Sequence, residues 1–318
     1  MKRRDEKNYE NKWLKRFACV ALSAALVVEL AVFTGASTAY AKAKTPATGK
    51  ISLTVTQDYK QAQAILKYVN KYRKKKHLKA LKLDKDLTKA AITRGAELNI
   101  YTPQTSPHRR PNGKLTKTLN KRICYEDCLE IGGSYYMEPS DFGASGSITS
   151  AKAVVDSWIA SPPHRKGLLL SKAKCAGIAA TYTTTEYDYI TSVTYSIEFS
   201  NTKVKKVEKS KSKVKYTKNV DTKNEYLKKK YFSMRSSVDQ LYNENPSMRL
   251  YTDYNSPYMY ARPILNPSSF TWTSSNKDIA TVNKNGIVKK GSKTGKVKIT
   301  AKLKTGTKVS FSKILTVK

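Results

Sequence analysis

The chain has 318 residues, with 60 Lys or Arg against 24 Asp or Glu, a formal net charge of +36, and only three histidines. That length allows two modest domains with real cores. The charge favours polyanions: nucleic acid, anionic lipid or the phosphate polymers of a bacterial wall.

In chain order, a basic start (Lys2, Arg3, Arg4, Lys12, Lys15, Arg16) leads into the apolar stretch "FACVALSAALVVELAVF" and then Ala39-Tyr40-Ala41. A basic head, an apolar run and a small-x-small site make residues 1–41 a secretory signal. Glu29 inside the run and the cleavage site argue against a retained anchor, so no stable membrane span is expected after cleavage. Residues 1–41 hold seven basic and four acidic residues, which leaves 53 against 20, a net +33, on the exported part. Three cysteines remain there, Cys124, Cys128 and Cys175. An odd count in an oxidising compartment allows one disulfide and one free thiol.

The next segment, "YKQAQAILKYVNKYRKKKHLKAL", places Ala62, Ile65, Leu66, Val69 and Tyr72 on one helical face. A second helix begins after Asp84, a suitable N-cap, and carries Leu87, Ala90, Ala91, Arg94 and Leu98. A third, "AKAVVDSWIA", turns Val154, Val155, Trp158 and Ile159 inward and stops at Pro162-Pro163, because proline cannot continue the hydrogen-bond ladder. Two strands follow, "CAGIAATYT" and "YDYITSVTYSIEF", the second alternating Val193, Tyr195, Ile197 and Phe199 with polar residues. Helices first and a late antiparallel sheet predict an α+β domain over residues 57–200.

From residue 201 the composition shifts. Residues 201–230 carry 12 lysines against three acids, and the stretch reads as an exposed, mobile linker over 201–225. The remainder, 226–318, is β-patterned ("FTWTS", "IATV", "GIVKK", "GKVKITAKL", "KVSFSKILTVK") and predicts a small β-sandwich.

Three places carry candidate chemistry. His164 follows the Pro-Pro step in "SWIASPPHRKGLLL"; His108 precedes the turn signal Pro111-Asn112-Gly113 in "SPHRRPNGK"; Glu126 and Glu130 lie in "ICYEDCLEIGG". Imidazoles and a carboxylate brought together form a site for a divalent metal or for proton transfer. Separate surface histidines, paired with backbone and carboxylates, are the other reading of the same residues.

The ordered motifs resolve that choice by resemblance. "ILKYVNKYRKKKHLKALKLDKDLTKAAITRGAEL", with Asn70 and Arg73 in Asn-x-x-Arg positions, "SPHRRPNG", "YED", "WIASPPHRKGLLL" and "AKCAGIAATY" together resemble the bacterial form of the CAP superfamily of cysteine-rich secretory, antigen 5 and pathogenesis-related proteins. The resemblance implies an α-β-α sandwich with an open cleft in which two histidines and two acids face each other and hold a divalent cation such as zinc. Carried over by position, His108, Glu126 and His164 match three of those four groups. The second glutamate, expected after Trp158, is replaced by Ile159-Ala160-Ser161, and Asp156 and Glu198 are the acids nearest in sequence to that role. Tyr125 and Asp127 stand where the family has Gly and Asn. The tail "FTWTSSNKDIATVNKNGIVKKGSKTGKVKITAKL" resembles a group 2 bacterial Ig-like domain, with Trp272, Ala280, Val282, Gly286, Val288 and Ile299 at core and turn positions.

These readings imply a secreted, extracellular protein associated with the cell wall. Its His/Glu cleft would take a divalent cation, a small ligand or a protein, and its basic Ig-like tail would attach to anionic wall polymers. The alternative is a metal-dependent hydrolase at the cell surface, since an open coordination position on a His-Glu-His site activates water. No nucleophile motif accompanies the trio, so catalysis is left open. Nucleic acid is not an expected partner, because the lysines are not interleaved with a stacking aromatic pattern.

Overall fold

A computed structural model describes residues 48–100, 109–124, 129–133, 150–188, 190–255 and 262–318. The expected signal over 1–41 lies outside them. All of these residues belong to one compact unit, Pro46–Lys318, and no described helix is long and apolar enough to cross a membrane.

Strand β1 (Thr48–Asp58) runs directly into helix α1 (Tyr59–Lys75). Asp58 closes the helix start by accepting the Gln61 N–H at 2.9 Å. Tyr59, Ala62, Ile65, Val69 and Arg73 form the buried stripe of α1. After β2 (Lys82–Leu83), α2 (Lys85–Leu98) starts at Asp84, whose carboxylate accepts the Asp86 and Leu87 N–H groups at 3.0 and 3.1 Å. Strand β3 (Leu129–Gly133), α3 (Ala151–Ala160), α4 (Pro162–Leu168), β4 (Cys175–Thr184) and β5 (Ile190–Ser200) complete the helical half.

The β4–β5 hairpin is in register from Cys175 opposite Ser200 to Thr183 opposite Ser192. Period two then sorts the helices into layers. Ala176, Ile178, Ala180, Val193, Tyr195, Ile197 and Phe199 pack against Ala62, Ile65 and Val69 of α1 and Val154, Val155 and Trp158 of α3. The opposite face lies under α2. There Gly177 permits the contact: a Cβ on it would sit 2.1 Å from the Leu87 carbonyl carbon. Helices on both faces of the sheet make an α-β-α sandwich, as the resemblance implied. The polar side of β5 is no solvent face, however, since Ser192, Thr194, Ser196, Glu198 and Ser200 are all buried.

The stretch expected as a mobile linker takes a different form. From Lys213 to Lys223 it is strand β6, antiparallel to β1 at every position from Thr48 opposite Lys223 to Asp58 opposite Lys213. Upstream, Lys85 N–H donates to Lys206 O at 2.8 Å and Glu208 N–H to Leu83 O at 3.0 Å. The lysines conceal a period-two pattern, Val214, Tyr216, Lys218, Val220, Thr222, whose side chains are half-buried or buried, while Lys213 and Lys215 face water. A lysine's apolar stem covers a sheet edge while its ammonium stays hydrated.

The rest is all β: β7 (Phe232–Ser236), β8 (Gln240–Leu241), β9 (Ser247–Tyr254), β10 (Ile264–Leu265), β11 (Phe270–Ser274), β12 (Ala280–Val282), β13 (Ile287–Lys290), β14 (Gly295–Leu303) and β15 (Ser310–Val317). The first sheet has the order β12-β13-β9-β10-β1-β4-β5-β3, with β7 on β9, β6 on β1 and β2 on β4; the second is β11-β14-β15-β8. The fold is therefore α+β in two sheets. Strand β10 meets β1 at Leu53 opposite Leu265, which carries one sheet from the helical half into the sandwich.

The core is equally continuous. One cluster links Ile92 and Ala96 of α2, through Ile51, Leu53 and Val55 of β1, to Phe232, Tyr254, Phe270, Phe311 and Trp272 of the sandwich. Arg235 adds a polar tie, donating to Glu186 from the helical half at 2.7 Å and to Asp253 on β9 at 2.7 Å. A structure of this kind predicts slow amide exchange at the alternate residues of 213–223 whose N–H groups face β1, with opening free energies of several kcal/mol. Exchange at unprotected rates across that stretch, read by mass spectrometry, would show that β6 is not paired in solution.

Candidate functional site

The break between α3 and α4 is local chemistry. Helix α3 ends at Ala160, Ser161 is extended (φ −86°, ψ 117°), and Pro162 opens α4 at its first position. A proline costs nothing there because its missing N–H would have had no helical partner. The Pro-Pro step therefore both stops one helix and starts the next. His164 is the third residue of α4 and is half-buried. Arg165 reaches back to the Ile159 carbonyl at 2.9 Å, satisfying one of the groups that α3 leaves open.

Helix α4 is held by α1. Arg73, fully buried, donates to Leu168 O at 2.8 Å, Leu170 O at 3.1 Å and Lys79 O at 3.0 Å. Burial lowers its pKa. Asn70, one turn earlier, donates to Leu81 O at 2.9 Å and accepts the Leu81 N–H at 2.8 Å. The Asn-x-x-Arg motif is thus scaffolding: its two side chains fix the loop after α1 and the end of the helix that carries His164.

The segment after His108 is anchored as firmly. Arg110 N–H bonds Lys114 O at 2.9 Å and Gly113 N–H bonds Arg110 O at 2.8 Å, closing the expected Pro-Asn-Gly turn, with Gly113 at φ +82°. The Arg110 guanidinium grips Glu97 on α2 through Nε at 2.8 Å and Nη2 at 2.6 Å, and its Nη1 donates to Thr118 at 2.9 Å. Glu97 is fully buried and also meets Arg94 at 3.4 Å. Burial pushes its carboxyl upward, against the pull of Arg110 and Arg94.

A third anchor holds the approach to Glu126. Arg122 forks onto both oxygens of Asp84 at 2.9 Å each, and Asp84 Oδ2 also accepts the Lys205 N–H at 2.8 Å. Cys124 N–H then bonds Phe199 O at 3.0 Å, while β3 pairs with β5 from Leu129 opposite Ile197. Cys124 and Cys175 are free thiols, so no disulfide joins them. Burial raises the pKa of both.

Of the expected trio, the described residues include His164; His108 and Glu126 lie outside them. Among the described residues no group of three His, Cys, Asp or Glu side chains gathers at metal-binding distance. Of the two acids considered for the fourth position, Asp156 is exposed and paired with Lys152 at 2.5 Å. Glu198 is buried on the α2 side of β5, where Ser196 Oγ donates to it at 3.0 Å. The sequence reading leaves out Glu97 and Arg122. The one signal for Glu97 was its i,i+3 spacing from Arg94 on a helix otherwise apolar on that side.

The Asp84–Arg122 pair gives a direct test. Burial raises the carboxyl's pKa, but Arg122 and the N–H groups of Lys205 and Leu87 outweigh it, so the folded value lies below the ordinary one. A depressed folded pKa contributes stability above about pH 4 that is lost as pH falls through the folded value. Asp84→Asn is expected to cost about 2–4 kcal/mol at pH 7, with the gap to the parent narrowing toward pH 3 in urea titrations.

The family model described as the cysteine-rich secretory protein family, CAP, matches residues 66–195, and that of the bacterial Ig-like domain (group 2) matches 262–314. Among solved structures, a cysteine-rich secretory protein from Staphylococcus aureus aligns at 21% identity over 46% of this chain and 40% of its own, TM-score 0.30. An extracellular protein containing an SCP domain from Bacillus anthracis aligns at 18% over 44% and 41%, TM-score 0.31. An outer surface protein from Borrelia burgdorferi aligns at 20% over 45% and 92%, TM-score 0.29. The chain spans about two-fifths of the length of the first two. No curated protein matches it.

Proposed function

From a chain that carries a CAP domain at 66–195 and a bacterial Ig-like domain at 262–314, we propose a secreted binding protein that is held at an anionic cell surface by its lysines. Its cleft at His108, Glu126 and His164 takes a divalent cation or a small ligand. The observation that carries the reading is the excess of 60 basic over 24 acidic side chains. Lys60, Lys67, Lys71, Lys74 and Lys75 of α1 and Lys213 and Lys215 of β6 all stand exposed. Lysine suits attachment to an irregular polyanion, because a hydrated point charge on a flexible stem needs no fixed geometry.

The test uses the whole mature chain, because β1 and β6 share one sheet and a cut near residue 200 would divide it. Sedimentation with purified bacterial walls is expected at low salt and should fall steeply once ionic strength exceeds about 0.15 M, where the Debye length is near 8 Å. Retention that salt does not change, or no binding at low salt, would remove the proposal.

The cation reading rests on His164. It stands half-buried at the start of α4, accessible enough for an exchangeable ligand, and its helix is clamped by Arg73. An imidazole with a carboxylate and a second imidazole is a zinc-type donor set, and an incomplete set leaves a position for water or ligand. Calorimetric titration with Zn²⁺ should give uptake that His164→Ala abolishes. Undiminished uptake by the variant would move the metal elsewhere.

A further inference from the structure

The second sheet, β11-β14-β15-β8, has one face in the sandwich core and the other in water. Along β14 the alternation is strict. Val297, Ile299, Ala301 and Leu303 are buried, Lys296, Lys298 and Lys302 are exposed, and Thr300 stands half-exposed between the last two. Outward residues on one strand are about 6.8 Å apart, so the three ammonium groups form a row about 20 Å long.

The register supplies what flanks that row. Thr271 and Thr273 of β11 lie opposite Lys302 and Thr300. On the other side, Ser312, Ile314 and Thr316 of β15 lie opposite Thr300, Lys298 and Lys296. None of the four strands contains Asp or Glu. Among the described residues no salt bridge reaches Lys296, Lys298 or Lys302, whereas Lys293 nearby is paired with Asp278 at 3.0 Å.

Folding alone does not call for this arrangement. Lysines are placed on edge strands to prevent unwanted pairing, but β14 is central, between β11 and β15. Like charges in one row repel, and opposite charges across neighbouring strands would have served the sheet better. We propose that this face is a docking surface for a linear phosphodiester polymer with a polyol backbone. The lysine row neutralises successive phosphates, and the flanking hydroxyls meet the polyol. The proposal rests on the anionic-surface reading above and gives it a location.

The face is less suited to nucleic acid. Bases are held by stacking on exposed aromatic rings, and here Phe270, Trp272 and Phe311 all point into the core. The exposed apolar groups here are Ile314, 66% exposed, which offers no stacking plane, and Tyr242 at the end of β8, 40% exposed, over whose ring Lys318 lies at 5.9 Å. A single ring does not make the series of stacking platforms that successive bases need.

The experiment compares the full mature chain with Lys296→Gln/Lys298→Gln/Lys302→Gln and with a control of equal charge, Lys79→Gln/Lys172→Gln/Lys174→Gln, at exposed positions of the helical half. Each is titrated with poly(glycerol phosphate) and with a single-stranded oligonucleotide over a range of salt, after thermal unfolding has checked the fold. The face variant is expected to lose about tenfold in affinity for the polymer, and its log–log salt dependence should flatten by about 2, the share of three phosphate contacts on a single strand. The control should keep most of its affinity. Should the triple variant fail to fold, Lys298→Glu alone, at an exposed position, is expected to weaken polymer binding in the same direction.

Equal losses in face variant and control would mean diffuse charge, not a docking face, and would overturn the proposal. So would tighter binding of the oligonucleotide through the same lysines. Wall sedimentation separates this inference from its premise. If the parent and the face variant sediment alike, the face proposal fails while the surface reading stands. If the parent ignores walls but binds the polymer through the lysine row, the surface reading fails and the face stands.

Discussion

Strand β1 is the constraint on which the rest depends. Its eleven residues pair along their whole length with β6, and the far edge meets β4 at Thr56 and Gln57 and β10 at Leu53. The strand therefore lies between the helical half and the sandwich and belongs to both. Its buried side chains Ile51, Leu53 and Val55 fill the space between α2 and the aromatic core of the tail. Non-local pairing of this kind orders residues over 150 positions apart, so its loop-closure cost falls on the fold as a whole. It also explains why the two family-matched regions are not independent beads on a string.

Inside the helical half, largely buried arginines fix the segments around the expected cleft. Arg73 donates to backbone carbonyls at the end of α4, while Arg110 and Arg122 form ion pairs with Glu97 and Asp84. Each joins a loop or helix end to a neighbouring element, where apolar packing alone would not set a direction. Such pairs contribute little net stability when compared with apolar replacements, but breaking one partner is costly because a buried charge is left alone. Their use here is positional. Three arginines, spread through the chain, orient the segments next to His164, His108 and Glu126.

The surface follows another logic. Lysines that flank the helical half sit on α1 and β6, while those of the second sheet stand in a row on a central strand. Charge of one sign spread over several elements adds up to a field that attracts polyanions. The row on β14 combines regular spacing with flanking hydroxyls.

Much of this was legible in the residues themselves. The stripe of α1, the Asp84 cap, the Pro-Pro restart, the Pro-Asn-Gly turn and the strands of the tail are short-range features, written in period, capping and turn chemistry. Motif order likewise carried the resemblance, and with it the α-β-α layering. The sequence alone did not determine β6, because four lysines among its eleven residues conceal a period-two pattern whose partner lies far upstream. Nor did it determine that the Ser/Thr side of β5 is buried, since alternation marks two faces without saying what covers the polar one. Glu97 is the sharpest case. As a helical glutamate it reads as solvent-facing, and its burial is compensated by Arg94 one turn back and, at closer range, by Arg110, thirteen residues on. Local pattern fixes which elements form, whereas the burial of a charge depends on a counter-charge that the chain brings from elsewhere.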